Sequence, residues 1–190
     1  MDALRIAVIV GSTRPGRKSE AVAAWVVERA KGRDAVYELV DLRDHPMPHF
    51  NEPSSPSKGA YELPSTLEWA ATVARFDGFV FVTPEYNHST SGVLKNALDT
   101  VYGEWNNKAA ALVSYGTTGG VRAADHLRQV LGELQVADVR TQLSFLLATD
   151  WEGSTTFAPA ERHLATAEKM FTQLEAWAGA LRTLRQATAG

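Results

Sequence analysis

The 190-residue chain contains no cysteine. That excludes disulfides, thiol nucleophiles, thiolate metal sites and iron–sulfur clusters, so any redox chemistry has to come from a bound cofactor. No apolar run reaches the 18 residues expected of a membrane span, and the amino terminus lacks the charged-then-apolar layout of a signal peptide, so a cytoplasmic protein without a membrane partner is expected. Neither sign of charge dominates: 19 Lys and Arg against 22 Asp and Glu leave a net charge of −3, which argues against a nucleic-acid partner. Internal repeats and long linkers are missing as well, and 45% hydrophobic residues suffice for a core, so residues 1–190 are expected to form one domain.

What the chain does have is concentrated in its first thirty residues. Leu4 to Val10 is nearly unbroken in apolar residues, as in a central strand covered on both faces. From Ser19 onward Val22, Trp25, Val26 and Ala30 recur at helical spacing. The segment Gly11–Ser19 between them therefore lies at the strand's carboxyl end and the helix's amino end, where open α/β sheets bind ligands. Unpaired N–H groups there favour an anion. Ser12, Thr13 and Ser19 add hydroxyls, and Arg14, Arg17 and Lys18 add cations. The alternative is a plain turn with solvated cations. Thr13 breaks the dinucleotide pattern G-x-G-x-x-G, and Arg17 stands where the triphosphate loop needs lysine. A hydroxyl-lined loop of this kind suits the phosphate of a mononucleotide such as FMN.

The pattern then repeats along the chain. Val36–Asp41 reads as an outer strand, followed by a proline-rich loop from Arg43 to Tyr61 whose Met47, His49 and Phe50 are expected to pack rather than cover a ligand. A capping box, Ser65 with Glu68, starts the second helix. The third strand, Gly78–Thr83, runs into Pro84-Glu85-Tyr86-Asn87-His88, which offers a flat aromatic surface and backbone groups for the rim of a heteroaromatic ring; Ser91 caps the helix from Val93 to Tyr102. His88 has no carboxylate at an orienting spacing. The fourth strand, Lys108–Ser114, leads to Tyr115-Gly116-Thr117-Thr118-Gly119-Gly120, where glycines let the backbone approach a ligand. Val136–Leu147 alternates like a fifth strand, Trp151 either covers the core or meets a partner, and Pro159–Arg185 reads as the final helix.

GSTRPGRKS after the first strand, TPEYNHSTSGVLKNALD after the third and SYGTTGGVRAADHLRQVLGEL after the fourth resemble the NADPH-dependent FMN reductase family, with its azoreductase-like and quinone or chromate reductase-like members. The expected fold is α/β: a flavodoxin-like, doubly wound, five-stranded parallel sheet of order 2-1-3-4-5 with helices on both faces. By the resemblance, Ser12, Arg14, Arg17, Lys18 and Ser19 hold the FMN phosphate and ribityl chain, and Pro84, Glu85, Tyr86 and Asn87 border the isoalloxazine. Ser114, Tyr115, Gly116, Gly119 and Gly120 close the ring's other edge. Amides of Glu85 to Asn87 and of Tyr115-Gly116 are expected near the N1–C2 edge. No side chain is expected to be catalytic and none to bind metal. NADPH or NADH would supply hydride, and quinone, free flavin, azo dye or a metal oxyanion would accept it. The resemblance also implies a homodimer or homotetramer, with Lys95, Asn96 and Asp99 as candidate subunit contacts. The alternative is a flavodoxin-type electron carrier, or a flavin- or quinone-responsive binding protein with little turnover; a carrier calls for a strongly charged docking face, and −3 is unremarkable.

Overall fold

Each apolar run becomes a strand of one parallel sheet. A computed structural model describes residues 2–153 and 155–188. The strands β1 (Arg5–Val10), β2 (Val36–Asp41), β3 (Gly78–Pro84), β4 (Lys108–Gly116) and β5 (Val136–Asp138) lie in the order β2-β1-β3-β4-β5, all parallel. β3 and β4 are buried along their whole length, as strands covered on both faces must be. Successive side chains point to opposite faces, so Ile6, Val8 and Val10 meet α1 (Ser19–Arg29) and α5 (Arg162–Thr188). Ala7 and Ile9 face the layer of α2 (Pro64–Ala74), α3 (Gly92–Thr100) and α4 (Val121–Glu133). That second layer is the more aromatic: Phe79 and Phe81 pack with Trp105, which in turn meets Trp69.

Three local expectations are refined. The fifth strand comes in two pieces, β5 and β6 (Leu143–Leu146), each parallel to β4. Between them Arg128 of α4 donates to Val139 O and to Gln142 Oε1 at 3.1 and 2.9 Å and pairs with Asp138, so a helix side chain takes over where the ladder lapses. Ser65 forms no capping box: Pro64 already occupies the first turn, and the carboxylate of Glu52 accepts from the amides of Glu62 and Leu63 at 2.9 and 3.0 Å. The last helix begins at Arg162 rather than Pro159, after a short hairpin of β7 (Trp151–Glu152) and β8 (Thr156–Phe157). Among the described residues, no helix is long and apolar enough to cross a membrane.

Candidate active site

The carboxyl ends of β1, β3 and β4 bring three loops together. The first leaves β1 at Gly11, whose N–H donates to Val82 O at 2.8 Å. A Cβ at Gly11 would stand 2.6 Å from that oxygen, so only glycine permits the approach. Ser91 caps α3, accepting from the Leu94 amide at 3.2 Å, and its hydroxyl donates to Gly11 O. Loop one and the start of α3 are thus pinned by one side chain.

In the second loop Tyr86 and Ser89 exchange backbone hydrogen bonds of 2.9 and 3.1 Å around a tight turn whose central residues, Asn87 and His88, both have positive φ. The Tyr86 hydroxyl meets Ser12 Oγ at 3.0 Å and so ties the first loop to the second. In the third loop Gly119 and Gly120 have φ of +77° and +71°, and a Cβ at Gly120 would lie 2.8 Å from the Tyr115 nitrogen. Ser114 Oγ, beneath them, donates to Gly119 O at 2.7 Å.

These loops enclose a cavity of about 460 Å³ lined by Arg14 to Lys18, Pro84 to Tyr86, Tyr115 to Thr117 and Leu147. Of the residues singled out in the sequence, Arg14, Arg17, Lys18, Pro84, Glu85, Tyr86, Tyr115 and Gly116 line it. Ser12 and Ser114 stand behind the wall, bonded to Tyr86 and to Gly119 O, and Gly119 and Gly120 shape the third loop; Ser19 is buried at the first residue of α1, and Asn87 is exposed at the tip of the second loop, outside the lining. Two of the amides expected to face a ring edge are already engaged: Glu85 N donates to Tyr115 O and Tyr86 N to Ser89 O, because β3 continues into the ladder and the turn closes on itself. Glu85, the one carboxylate on the cavity wall, accepts from the Arg122 amide at 3.2 Å and from its guanidinium at 2.7 Å, which fastens the second loop to the start of α4.

Arg17 is placed unlike the other cations. Its side chain is 1% exposed, and every N–H of the guanidinium has an acceptor: Glu20 from Nε and Nη2, Asp41 from both Nη atoms, and Ser12 O from Nη1. Burial alone would raise the Asp41 pKa, but Arg17 and the Arg43 amide outweigh it and hold the carboxyl below its usual range. Lys18 lies over the Trp151 ring at 5.1 Å, and Trp151 packs on Tyr115, so the hairpin covers the core behind the cavity. Burial pushes the Tyr115 phenol up to about 12 and keeps it protonated at neutral pH.

Sequence reasoning missed Thr117, Leu147 and Asp41. Leu147 arrives through Asp150, a fully buried carboxylate. It accepts from the amides of Leu146 and Ala160 at 2.8 and 3.3 Å and from His163 Nε2 at 2.9 Å. The Pro-rich loop is held by Asn96, which donates to Pro48 O and accepts from Phe50 N, both at 2.8 Å; Lys95 and Asp99 pair with each other.

Residues 4–150 match the NADPH-dependent FMN reductase family. The chain belongs to that family. It is accordingly an oxidoreductase of the class that uses NAD(P)H with FMN. An NAD(P)H-dependent FMN reductase of Schizosaccharomyces pombe is 39% identical over 173 residues, 88% of this chain and 86% of that protein. A quinone reductase of Escherichia coli is 33% identical over 135 residues, 67% of this chain and 69% of the other. The solved structure of the flavoenzyme FerB from Paracoccus denitrificans superposes with a TM-score of 0.72 at 22% identity, covering 94% and 98% of the two chains, which shows the shared fold. The stretch that matches this FMN reductase family carries all three cavity loops and ends just before the hairpin and α5.

Proposed function

We propose that this protein holds FMN in the three-loop cavity and uses NAD(P)H to reduce a small quinone or free flavin. The observation that carries the proposal is the union of an anion-favouring loop and two tyrosines around one cavity, with no free acid–base group on its wall. The cavity residues fit the cofactor. Ser19 Oγ is buried at the first residue of α1 against the Tyr115 phenol, with no well-formed hydrogen bond to any other group, and the close packing at Gly11 and Gly120 leaves no room for a Cβ. Arg14 lines the cavity at the amino end of α1, where the helix dipole adds to its charge.

When bound, FMN supplies the two-electron chemistry. The chain's own residues bind and orient. Arg14, Ser19 and the start of α1 favour the phosphate end. Tyr86, fixed by Ser12, and Tyr115 give the ring end flat apolar walls that exclude water, with Leu147 beside them. Glu85 stays tied to Arg122 and Tyr115 stays protonated, so neither acts as a base. Homodimer or homotetramer assembly, implied by the family resemblance, belongs to the same proposal; light scattering after gel filtration tests it.

The direct test is an absorbance spectrum after FMN loading and removal of excess, followed by anaerobic NADPH and then a benzoquinone. A retained flavin spectrum that bleaches with NADPH and recovers with quinone is expected. Retention without bleaching would sink the reductase in favour of a carrier.

A further inference from the structure

Two carboxylates stand behind the cation-bearing loop, outside the lining of the cavity. Glu20 lies in the first turn of α1 and Asp41 at the end of β2, and both reach the same guanidinium. Arg43 also reaches Glu20, at 3.1 Å. Left bare, these carboxylates would repel a phosphate dianion bound by the loop, Asp41 more strongly than Glu20 because it is the less exposed. Two carbonyls would repel it too, but both are turned onto donors: Ser12 O onto Arg17 Nη1 at 2.5 Å, and Arg14 O onto Arg17 N and Arg43 Nη2, each at 3.2 Å.

We infer that Arg17 is a positioning residue: it neutralises Asp41 and Glu20 and turns the loop carbonyls away, while Arg14, Ser19 and the loop amides hold the FMN phosphate. The inference rests on FMN occupying this cavity. It follows from the donor count, since a buried guanidinium with all its N–H groups engaged has none to offer a ligand. Arg14 is the complement: its guanidinium makes no hydrogen bond among the described residues, and it lines the cavity.

A double-mutant cycle separates positioning from contact. Dissociation constants for FMN and for riboflavin are measured by flavin fluorescence on apoprotein of the wild type, Arg17→Ala, Asp41→Asn and the double variant, with thermal unfolding of each apoprotein as the check on folding. Positioning predicts that Arg17→Ala weakens FMN about 30-fold in the wild-type background but by a clearly smaller factor, about tenfold or less, when Asp41 is already Asn, the remainder coming from Glu20 and the Ser12 carbonyl, with riboflavin changing little in either. An equal loss in both backgrounds means that Arg17 touches the phosphate, and overturns the inference.

Arg14→Ala keeps the test decisive if Arg17→Ala does not fold: it is expected to weaken FMN by about 10- to 100-fold and leave riboflavin unchanged. No change in FMN affinity overturns the inference. A wild type that binds riboflavin as tightly as FMN overturns it too and leaves the reductase standing; a wild type that binds neither flavin removes the proposed function with it.

Discussion

The two ends of the sheet each bury a cation and treat it in opposite ways. At the carboxyl edge Arg17 is matched by Asp41 and Glu20 and stays charged. At the amino edge Lys108, 4% exposed, has no carboxylate within ion-pair distance among the described residues. Its amine donates to Val73 O at 2.8 Å, closing the end of α2, and lies 5.5 Å from the Phe79 ring centre. Burial, with Arg185 nearby, lowers its pKa to about 7. The lesson is that burial does not by itself decide the state of a cation. A fixed charge is maintained where a ligand's charge has to be met, and at the far end the lysine serves mainly as a long apolar arm with a donor at its tip.

The contrast can be broken or sharpened by experiment. The largest effect is expected at the carboxyl edge, where Gly120→Ala forces a Cβ into Tyr115 at positive φ; we expect about 3 kcal/mol of lost stability, read from urea midpoints, together with loss of flavin retention. Next, Arg17→Met leaves Asp41 without its ion-pair partner, with only the Arg43 amide still donating to it, and is expected to cost about 2 kcal/mol, allowing for the exposure of Glu20, whereas Lys108→Met changes stability by less than about 1 kcal/mol. Equal losses at the two sites would break the comparison.

The ends answer to pH with the same sign but in different windows, because each group's pKa is lower in the fold than in the unfolded chain. Asp41 has a depressed pKa in the fold, so its contribution is present at neutral pH and is lost as pH falls below the usual carboxylate range. Between about pH 7 and the ordinary lysine value of 10.5 the unfolded chain holds a proton that folded Lys108 does not, so stability rises with pH across that window. Thermal midpoints of the wild type, Asp41→Asn and Lys108→Met from pH 3 to 10 check both arms: each variant should flatten only its own. The smallest effect is expected from Tyr86→Phe, which removes the link to Ser12 and should weaken FMN retention by about 0.5–1 kcal/mol.

Strand order and the three loops were legible because they rest on local signals: apolar runs, glycines at the strand ends and the cap at Ser91. What escaped is what depends on distant partners. Arg17 looks like any loop cation until Asp41, 24 residues on, comes alongside it. Ser65 and Glu68 have the right spacing, but Glu52 reaches the helix start from outside it. The alternation from Val136 to Leu147 carries no sign of the lapse, because the cause is Arg128 on another element.

Asp150 has a kinetic consequence. One carboxylate holds Leu146 on β6, Ala160 in the turn just before α5 and His163 in its first turn, and Arg162 reaches it as well. The span from β6 to α5 therefore opens as a unit: the amides of Leu146 and Ala160 should exchange with deuterium at a common rate, although 14 residues separate them.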